Sequence, residues 1–577
     1  MHGRVMRRRT NRVGGRIRAL RPAMALVALA LATAVLALPA RAGSTDDDTL
    51  AIGERIYREG LLPGGARLRA LRENHTQVEG ATAACVNCHR RSGLGNVEGH
   101  YVVPPVTSKY LLRSALENTS DLDMAHVEGY HQGHKPYDDA SLARALRDGI
   151  ASDGRVMSDL MPRYTLDAPA MTALVGYLKQ LGTTAPPGVT DTTLQFATII
   201  TPDADPVERA AMLAILERFF ATQAEVIAAE TRPLKSSREI KYRVTRQWRL
   251  NVWELQGPAE TWQRQLEDRQ RDQPVFAVLS GLGRGNWAPI HRFCEVAHVP
   301  CLFPNIDLPV VQETDFYPVY FSRGVLLEAD LLSAWLMADP QRQPRRLVQV
   351  FRADDVGAAA AAQMAADLRA GGTLLIERRL SASAGREDLA AALADVRPGD
   401  TLALWLRAPD LQRLPAPPAE VPVLFSGLMG GLDAAPLPAA WWPLAHMSYP
   451  LDLPERRVAR MNFPFGWLRV QHIPISAERV QVDTYLACII TAETLGHVLD
   501  SFVPDYLLER LEMMVSRRLA NAYFPRLGLA PGQRFASKGG YVVHFDASAA
   551  PSAVPATADP RHPPGVRVVA DTDWIVP

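Results

Sequence analysis

Cysteine is scarce in this sequence, with five residues in 577. So few cysteines exclude a small disulfide-stapled scaffold, and the 47% hydrophobic content is enough to build packed cores instead. Long apolar runs are scarce too, since beyond Leu38 no segment approaches the roughly 20 apolar residues of a membrane-spanning helix. We therefore expect about three globular units and no membrane span after the amino-terminal segment.

The first 42 residues have the composition of a secretory signal peptide. Eight arginines precede an apolar stretch over residues 23–38, and the small-residue site Ala40-Arg41-Ala42 follows. Because the apolar stretch is shorter than a bilayer span, we predict cleavage after Ala42 and a soluble periplasmic protein. A retained membrane anchor is the alternative.

Removal of that segment changes the sign of the net charge. The whole chain has 63 basic and 62 acidic residues, and nine of the basic residues are arginines within residues 1–42. The mature protein therefore has 54 basic against 62 acidic residues, a net charge of −8. A mildly acidic chain without a basic stripe predicts no nucleic-acid partner.

The motif that specifies chemistry is Cys85-Val86-Asn87-Cys88-His89. In such a string the two thiols add to the vinyl groups of a haem and the imidazole binds its iron, so we predict one covalent haem c. A thioredoxin-like dithiol would open a helix after a strand, which is not predicted here. A zinc site would need two more ligands nearby, and no second cysteine pair supplies them.

Residues 43–184 resemble a class I cytochrome c domain, which is an all-α fold. In that family a Gly-x-x-x-aromatic pattern on the first helix packs against an aromatic residue of the last helix, and Gly53, Tyr57 and Tyr177 match it. A carbonyl of Pro104 or Pro105 is the expected acceptor for the Nδ1 proton of the histidine in the motif.

The resemblance also implies a second iron ligand. Met161, which Pro162 follows, matches the Met-Pro dipeptide of the family; Met157 is the alternative, and both could instead be core methionines. Three histidines are competing ligands: His126, His131 and His134. The polar segment around the last two is predicted to be a solvent-exposed loop. Ligation by His and Met closes the iron, which favours outer-sphere electron transfer over enzymatic chemistry.

Residues 193–546 alternate between strands and helices. Strands are predicted at 196–200, 275–280, 299–303, 346–351, 373–377, 401–405, 421–425 and 541–545, and helices at 206–228, 287–298, 326–337, 356–370 and 386–396. This alternation predicts βαβ units with parallel sheets. With the strings Phe276–Gly281, Phe293–Pro304 and Phe321–Arg323, it resembles the type I periplasmic binding proteins of the Leu/Ile/Val-binding kind, which have two α/β lobes. Residues 185–192 are predicted to be a linker, and residues 547–577 an irregular tail.

The second resemblance implies a small-molecule ligand in a cleft between the two lobes. Ser280 and Asn305, each just after a predicted strand, would face the cleft from one lobe. Asp354 or Asp355, together with Tyr449, would face it from the other. Each of these residues has an alternative interpretation as an ordinary loop residue or cap.

The remaining cysteines carry two structural expectations. Cys294 and Cys301 form either a short-loop disulfide or two buried thiols, because their separation in space does not follow from the sequence. Cys488 lies in an apolar run and is predicted to be a buried core thiol.

Together these features predict a multidomain periplasmic electron-transfer protein that is not an enzyme. Its expected partner is a periplasmic dehydrogenase, such as a quinone-cofactor alcohol dehydrogenase system. The alternative is a ligand-binding or sensor protein whose lobes modulate the haem.

Overall fold

The computed structural model describes residues 45–72, 75–98, 101–113, 134–230, 246–312, 314–369, 371–418, 420–498, 501–546 and 567–577. The predicted signal peptide, His126, His131 and most of the predicted tail lie outside these residues. Among the helices of the described residues, none is long and apolar enough to cross a membrane.

The first unit combines helices with short strands. Its helices are α1 (Thr45–Glu59), α2 (Val86–His89), α3 (Ser108–Leu111), α4 (Asp139–Asp148) and α5 (Ala168–Gln180), and its strands are β1 (Arg69–Leu71), β2 (Gln77–Glu79), β3 (Asn96–Glu98), β4 (Tyr101–Val103) and β5 (Arg163–Thr165). β1 pairs antiparallel with β2 and β5, while β3 and β4 form a hairpin. The expectation of an all-α unit is therefore wrong. Strands of three residues are too short to show an alternating pattern in the sequence.

The crossing of α1 and α5 holds this unit together. A Cβ atom built on Gly53 would lie 2.2 Å from the carbonyl oxygen of Ala173, so only glycine allows this approach. Beside it, the rings of Tyr57 and Tyr177 lie with their centroids 5.4 Å apart. The predicted contact of Gly53 and Tyr57 with Tyr177 is confirmed.

From residue 193 onward the chain builds two α/β lobes. The helices are α6 (Pro206–Glu230), α7 (Trp262–Asp272), α8 (Ala288–Val296), α9 (Val325–Met337), α10 (Gly357–Arg369), α11 (Arg386–Leu393), α12 (Ala408–Leu411), α13 (Gly427–Gly430), α14 (Pro454–Val470), α15 (Glu478–Gly496) and α16 (Pro504–Val515). The strands are β6 (Thr193–Ile200), β7 (Gln247–Glu254), β8 (Ala277–Leu279), β9 (Cys301–Leu302), β10 (Pro318–Val319), β11 (Arg346–Arg352), β12 (Leu374–Leu380), β13 (Asp400–Trp405), β14 (Val423–Ser426), β15 (Ala445–Tyr449), β16 (Tyr541–Phe545) and β17 (Val568–Ala570).

Each lobe is built on one sheet. The first lobe has a parallel sheet in the order β10-β9-β8-β6-β7, and the second has the order β12-β11-β13-β14-β15-β16-β17. In the second sheet β11 to β15 are parallel, whereas β16 and β17 are added antiparallel. Every residue of β13 is buried, as expected for a central strand covered by helices on both faces. The predicted two-lobed α/β architecture with parallel sheets is present.

The chain returns to the first lobe after β15 and re-enters the second sheet at β16. α15 packs against α6, and a bridge joins Tyr320 to Phe535 beside the first sheet. α14, α15 and α16 and strand β7 were not predicted, and they complete the first lobe. The carboxyl ends of the parallel strands of both lobes face one cleft, where open α/β sheets bind ligands.

The structure resolves the two questions about cysteine. Cys294, at the end of α8, and Cys301, at the start of β9, form a disulfide with their Cα atoms 6.0 Å apart. Cys488 is fully buried in the core of the first lobe, which confirms its prediction.

We predict that Gly53→Ala destabilises the protein by about 1–3 kcal/mol, because the added methyl group must push α1 away from α5. The matched control is Gly176→Ala on α5, whose Cβ would meet only Leu50 at an ordinary 3.9 Å. That control should be neutral or stabilise the helix by about 0.5–1 kcal/mol. Urea unfolding of both variants provides the free energies, and equal values for the two would refute the close-crossing argument.

Candidate functional site

The first unit contains a cavity of about 260 Å³. Its lining includes three residues of the predicted haem motif, both candidate methionines and a set of apolar side chains: Cys85, Cys88, His89, Met157, Met161, Val102, Val103, Leu142, Leu146 and Leu178. The predicted cofactor residues are thus brought together around one space. Their role as haem ligands stays a prediction.

One helical turn and one hairpin position the histidine. The backbone N–H of His89 donates to the carbonyl of Cys85 at 2.9 Å, so thiol and imidazole share the turn of α2. The β3–β4 hairpin then brings Pro104 back, and its carbonyl lies 2.9 Å from His89 Nδ1. Gly95 permits this return, since a Cβ there would lie 2.1 Å from the carbonyl oxygen of Val103. The predicted proline acceptor is confirmed as Pro104.

That contact fixes the tautomer of the ring. Nδ1 donates its proton to the carbonyl, which leaves Nε2 with a lone pair available for a metal. Burial lowers the pKa of His89, against the opposing effect of the Pro104 carbonyl, so the imidazole is neutral at physiological pH. Neutral imidazole is the form that binds iron.

The first thiol of the motif is held in its protonated form. Burial raises the pKa of Cys85 to about 11, although the hydroxyl of Tyr164, 3.9 Å from Sγ, acts in the opposite direction. Redox-active dithiols have depressed pKa values because the thiolate is the nucleophile. The raised pKa of the Cys85 thiol therefore argues against the thioredoxin-like dithiol.

Both candidate methionines lie on the segment that Arg163 organises. Its guanidinium donates to the carbonyl of Met157 at 3.1 Å and also to the carbonyl of Met161. Both side chains are partly buried and line the cavity. The choice between Met161 and Met157 as iron ligand stays open.

His134 is not the exposed loop residue that the sequence predicted. Only 3% of it is exposed, and its ring packs edge-on against Tyr110 with the centroids 4.5 Å apart. Its Nδ1 atom lies 2.8 Å from the carbonyl of Lys135. The polar sequence around it was misleading because Tyr110 and Tyr137 pack against the ring.

The charge of the cavity lining fits a haem. Arg72 and Arg155 line it, whereas no aspartate or glutamate does so among the described residues. A haem combines a flat apolar ring with two carboxylates, so apolar walls with basic neighbours suit it. No cluster of three or more His, Cys, Asp or Glu side chains that could hold a bare metal ion occurs in the described part of the chain.

A buried contact joins this unit to the first lobe three residues after His89. The backbone N–H of Ser92 donates to Glu509 Oε1 at 2.9 Å, and its hydroxyl donates to Oε2 at 2.6 Å. Ser92 is 2% exposed and Glu509, on α16, is 7% exposed. This bidentate contact was not predicted, because nothing in the sequence connects residues so far apart.

Neighbouring side chains extend the junction. The guanidinium of Arg91 donates to Asp505 at 3.2 Å and lies 4.3 Å above the ring of Phe316. The hydroxyl of Tyr317 donates to the same aspartate at 2.9 Å. Leu94 packs into the hydrophobic core of the lobes. The loop after the motif is therefore fixed to α16 by charge, hydrogen bonds and apolar contact.

The pKa of Glu509 responds to this burial. Desolvation raises it to about 8, the two hydrogen bonds from Ser92 oppose the rise, and the nearby carboxylates of Asp505 and Glu512 add to it. The junction thus contains a carboxyl group that titrates near neutral pH.

A second, smaller cavity of about 40 Å³ lies at the base of the cleft. Its walls follow the carboxyl ends of strands from both lobes: Asn305 follows β9, Ser322 follows β10, Leu428 follows β14 and Leu451 follows β15. The space is enough for two or three water-sized groups. Both lobes contribute to it, as the resemblance predicted for a ligand cleft.

Ser280 and Asn305, both predicted to face the cleft from one lobe, form a hydrogen bond with each other. The side-chain amide of Asn305 donates to Ser280 Oγ at 2.9 Å and to Thr484 Oγ1 at 3.1 Å. Ser280 is 1% exposed and does not line the cavity, whereas Asn305 does. Thr484, on the unpredicted helix α15, completes the cluster.

The predicted residues of the second lobe do not face the cavity. Tyr449 is fully buried, and its hydroxyl accepts a hydrogen bond from Arg457 at 2.7 Å. As the last residue of β15 its side chain enters the core of the molecule. Asp355 pairs with Arg407 at 2.7 Å, and Asp354 is exposed to solvent. Both aspartates follow β11, and neither lines the small cavity.

An ion-pair network closes the cleft. Asp307 of the first lobe accepts from Arg407 of the second lobe at 3.1 Å and from Arg479 of α15 at 2.9 Å. Burial acts to raise the pKa of Asp307, but the two guanidinium groups hold it below its ordinary value. The carboxylate is therefore charged and bridges the lobes.

Asp483 is the cleft residue that the sequence did not suggest. It lies one turn after Arg479 on α15, lines the small cavity and is 9% exposed. Its Oδ1 atom is buried without a hydrogen-bond partner among the described residues, and burial raises its pKa to about 7 against the opposing charge of Arg479. Its place just before the apolar run over residues 485–490 was the available signal.

Comparisons with known proteins yield structural neighbours alone. No protein-family model matches the chain, and no curated protein matches it. A substrate-binding periplasmic protein from Ralstonia solanacearum is 13% identical, with a TM-score of 0.45 over 62% of this chain and 98% of the other. A fatty acid transporter substrate-binding protein from Thermomonospora curvata is 14% identical, with a TM-score of 0.45 over 68% of this chain and 95% of the other. A branched-chain amino acid transporter substrate-binding protein from Streptococcus pneumoniae, in complex with isoleucine, is 9% identical. Its TM-score is 0.44 over 66% of this chain and 100% of the other.

The main functional prediction is corrected. Most of the described chain builds two α/β lobes and not a haem domain, so the assignment of the whole chain as an electron-transfer protein is wrong. The three neighbours are named for substrate binding, which is the function that the ligand-binding or sensor alternative names. The electron-transfer prediction took the function of the whole chain from one short motif. The larger part of the chain builds two lobes that do not contain this motif. No comparison supports a dehydrogenase as partner. The expectation that the chain is not an enzyme stays a prediction.

We predict that Glu509→Gln reduces the dependence of stability on pH between about 4.5 and 8. The folded-state pKa of about 8 lies above the ordinary value of 4.5. The contribution of Glu509 is therefore complete below pH 4.5 and is lost as pH rises through about 8. The uncharged amide cannot lose a proton, so the variant should keep its junction at pH 9.

The free energy of unfolding at about pH 5, 6.5, 8 and 9 checks this prediction. The difference in the free energy of unfolding between the wild type and the variant, taken at each pH, separates the contribution of Glu509 from that of other buried acids. Glu493→Gln is the control, because this partly exposed carboxylate pairs with Arg518 at the surface. Parallel pH profiles for the wild type and Glu509→Gln would contradict the assignment.

Proposed function

We propose that the chain is a periplasmic ligand-binding protein of the sensor kind. Its two lobes bind a small molecule in their cleft, and a haem held by the first unit changes its exposure or potential when the lobes move. The observation that carries the proposal is the cavity at which the carboxyl ends of strands from both sheets meet.

The ion pair of Asp307 with Arg407 supports a cleft that opens and closes. It is a polar bridge from one lobe to the other at the cleft, and a ligand larger than a few atoms enters only when the lobes separate. Closure around a ligand moves rigid lobes about the crossover segments, as in other hinged binding proteins.

The haem is part of the proposal. Cys85 and Cys88 would attach it, and His89 together with Met161 or Met157 would bind its iron. When bound, the group would supply an iron whose spectrum and potential depend on its ligands and surroundings. The chain orients the imidazole through Pro104 and lines the cavity with apolar side chains and two arginines, Arg72 and Arg155.

The junction at Ser92 and Glu509 supports coupling between the two parts. α16 belongs to the first lobe, and the loop it holds follows the iron-binding histidine directly. A displacement of α16 therefore acts on that loop through a contact with no intervening solvent.

We predict that replacing Cys85 and Cys88 with serine abolishes covalent haem attachment in cells that export and mature such proteins. The intact mass and a haem stain of the denatured chain measure it, and Cys488→Ser, a buried thiol outside the cavity, is the control. Met161→Ala and Met157→Ala then distinguish the second ligand by loss of the Met–iron absorption band. A wild-type chain exported without covalent haem would remove the cofactor from the proposal.

The ligand test uses the full haem-loaded chain and two probes taken from the neighbours, isoleucine and a fatty acid. A bound probe raises the melting temperature as its concentration passes the dissociation constant, and it shifts the haem potential in the same range. Ser92→Ala, which removes one hydrogen bond of the junction, should reduce the potential shift while binding persists. A potential unmoved by a probe that binds would refute the sensor role.

A further inference from the structure

Helix α14 exposes large apolar side chains to solvent. Phe463 is 63% exposed, Val470 71% and Val458 61%. A surface helix normally presents charged and polar residues to water and keeps its apolar stripe for the core. Large apolar side chains grouped on the outside of one helix therefore indicate a surface that another molecule covers.

The inner side of α14 already has its partners. Four buried residues recur at intervals of four, three and four and so lie along one side of the helix: Arg457, Met461, Pro464 and Leu468. Next to them, the ring of Trp467 packs against Tyr485 of α15 with the centroids 5.1 Å apart. Phe463 and Val470 lie on the other side of the helix, so they contribute nothing to this packing.

Small residues separate the large ones on the outer side. Four residues at intervals of four, three and four form what we call the α14 stripe: Ala459, Phe463, Gly466 and Val470. A Cβ atom built on Gly466 would meet nothing within 4 Å, so the backbone is open to an approaching surface there. Because the distance between packed helices depends on the side chains at their contact, these small residues allow a second helix to come close.

The two ends of the stripe have charges of opposite sign. Glu455 lies four residues before Ala459, Arg469 directly precedes Val470, and both charged side chains are exposed. Neither has an ion-pair partner within the described part of the chain. They are 14 residues apart, which is about 21 Å along the helix. A helix with this pattern is complementary to an antiparallel copy of itself, because each glutamate then lies opposite the arginine of the other copy.

We propose that α14 is the contact surface of a homodimer, in which the α14 stripes of two copies pack antiparallel about a two-fold axis. Such an axis brings the same surface of both copies together. The midpoint between Glu455 and Arg469 is Asn462, and the midpoint between Ala459 and Gly466 lies directly beside it. The ion pairs and the close contacts of the small residues therefore form in one register.

The size of the surface sets the strength of this dimer. One helix from each copy buries less than about 1,200 Å², which is the range of weak and transient complexes. We therefore expect a dissociation constant no tighter than about 1 µM. No residue of the α14 stripe lines the cavity of the first unit or the small cavity of the cleft, so association leaves both accessible.

The first experiment exchanges the charges. Sedimentation velocity of the full haem-loaded chain over about 1–300 µM should show a reversible change from monomer to dimer. Glu455→Arg should weaken association about tenfold or more, and Arg469→Glu should do the same, because either change places like charges opposite each other at both ends. The double variant has the two charges exchanged and should dimerise like the wild type. A purely structural effect of either substitution would not be reversed by the other.

The second experiment blocks the close approach. The side chain in Gly466→Leu extends into open space in the monomer, so the melting temperature should stay the same or rise, whereas the dimer should be lost. Val470→Ser should weaken the dimer through lost apolar contact. The matched control is Val207→Ser on α6, which is 55% exposed and lies outside the stripe, and it should leave association unchanged.

Several results would overturn the inference. A wild-type chain that stays monomeric over the whole concentration range would exclude the dimer. A dimer that persists in Gly466→Leu, or a double charge variant that fails to recover association, would exclude α14 as its contact. Binding of a monomeric chain to phosphatidylglycerol vesicles, lost in Val470→Ser, would assign the stripe to a lipid surface and refute the homodimer.

Discussion

The carboxylate of Asp307 is the point on which the arrangement of the two lobes depends. It is shared between Arg407 of the second lobe and Arg479 of the first, so a single buried charge closes the cleft and also holds a helix in place. Two guanidinium groups repel each other unless an anion lies between them, and here that anion is covalently part of the loop after β9. The small cavity exists because this bridge draws the strand ends together without filling the space beside Asp483.

The junction at α16 has a different physical character. Ser92 satisfies both oxygens of Glu509 in a place where water has little access, so the contact persists only if both units keep their geometry. A rigid link of this kind transmits displacements, whereas a flexible linker would absorb them. The loop after the motif is also fixed from within its own unit, because the hydroxyl of Tyr57 donates to the carbonyl of Arg90 at 2.7 Å.

Sequence patterns predicted the long, regular elements and failed at the short or composite ones. The strand at 346–351 and the helix at 326–337 agree with β11 and α9 to within a residue, because apolar periodicity reports burial directly. The three-residue strands of the first unit have no period to detect. α15 was missed because it is buried on nearly every side, which removes the amphipathic signal of a surface helix.

What the sequence by itself determined is local. The spacing of Cys85, Cys88 and His89 places two thiols and an imidazole on one helical turn, and the alternation of strands with helices requires parallel sheets. The tertiary structure alone decided which distant side chains meet: Ser92 with Glu509, Asn305 with Thr484, and Asp307 with both arginines. Chain neighbours are constrained by bond geometry, but these contacts depend on how whole lobes pack. For that reason the motif was visible at once, whereas the unpaired carboxylate of Asp483 became apparent only after the helix around it was folded.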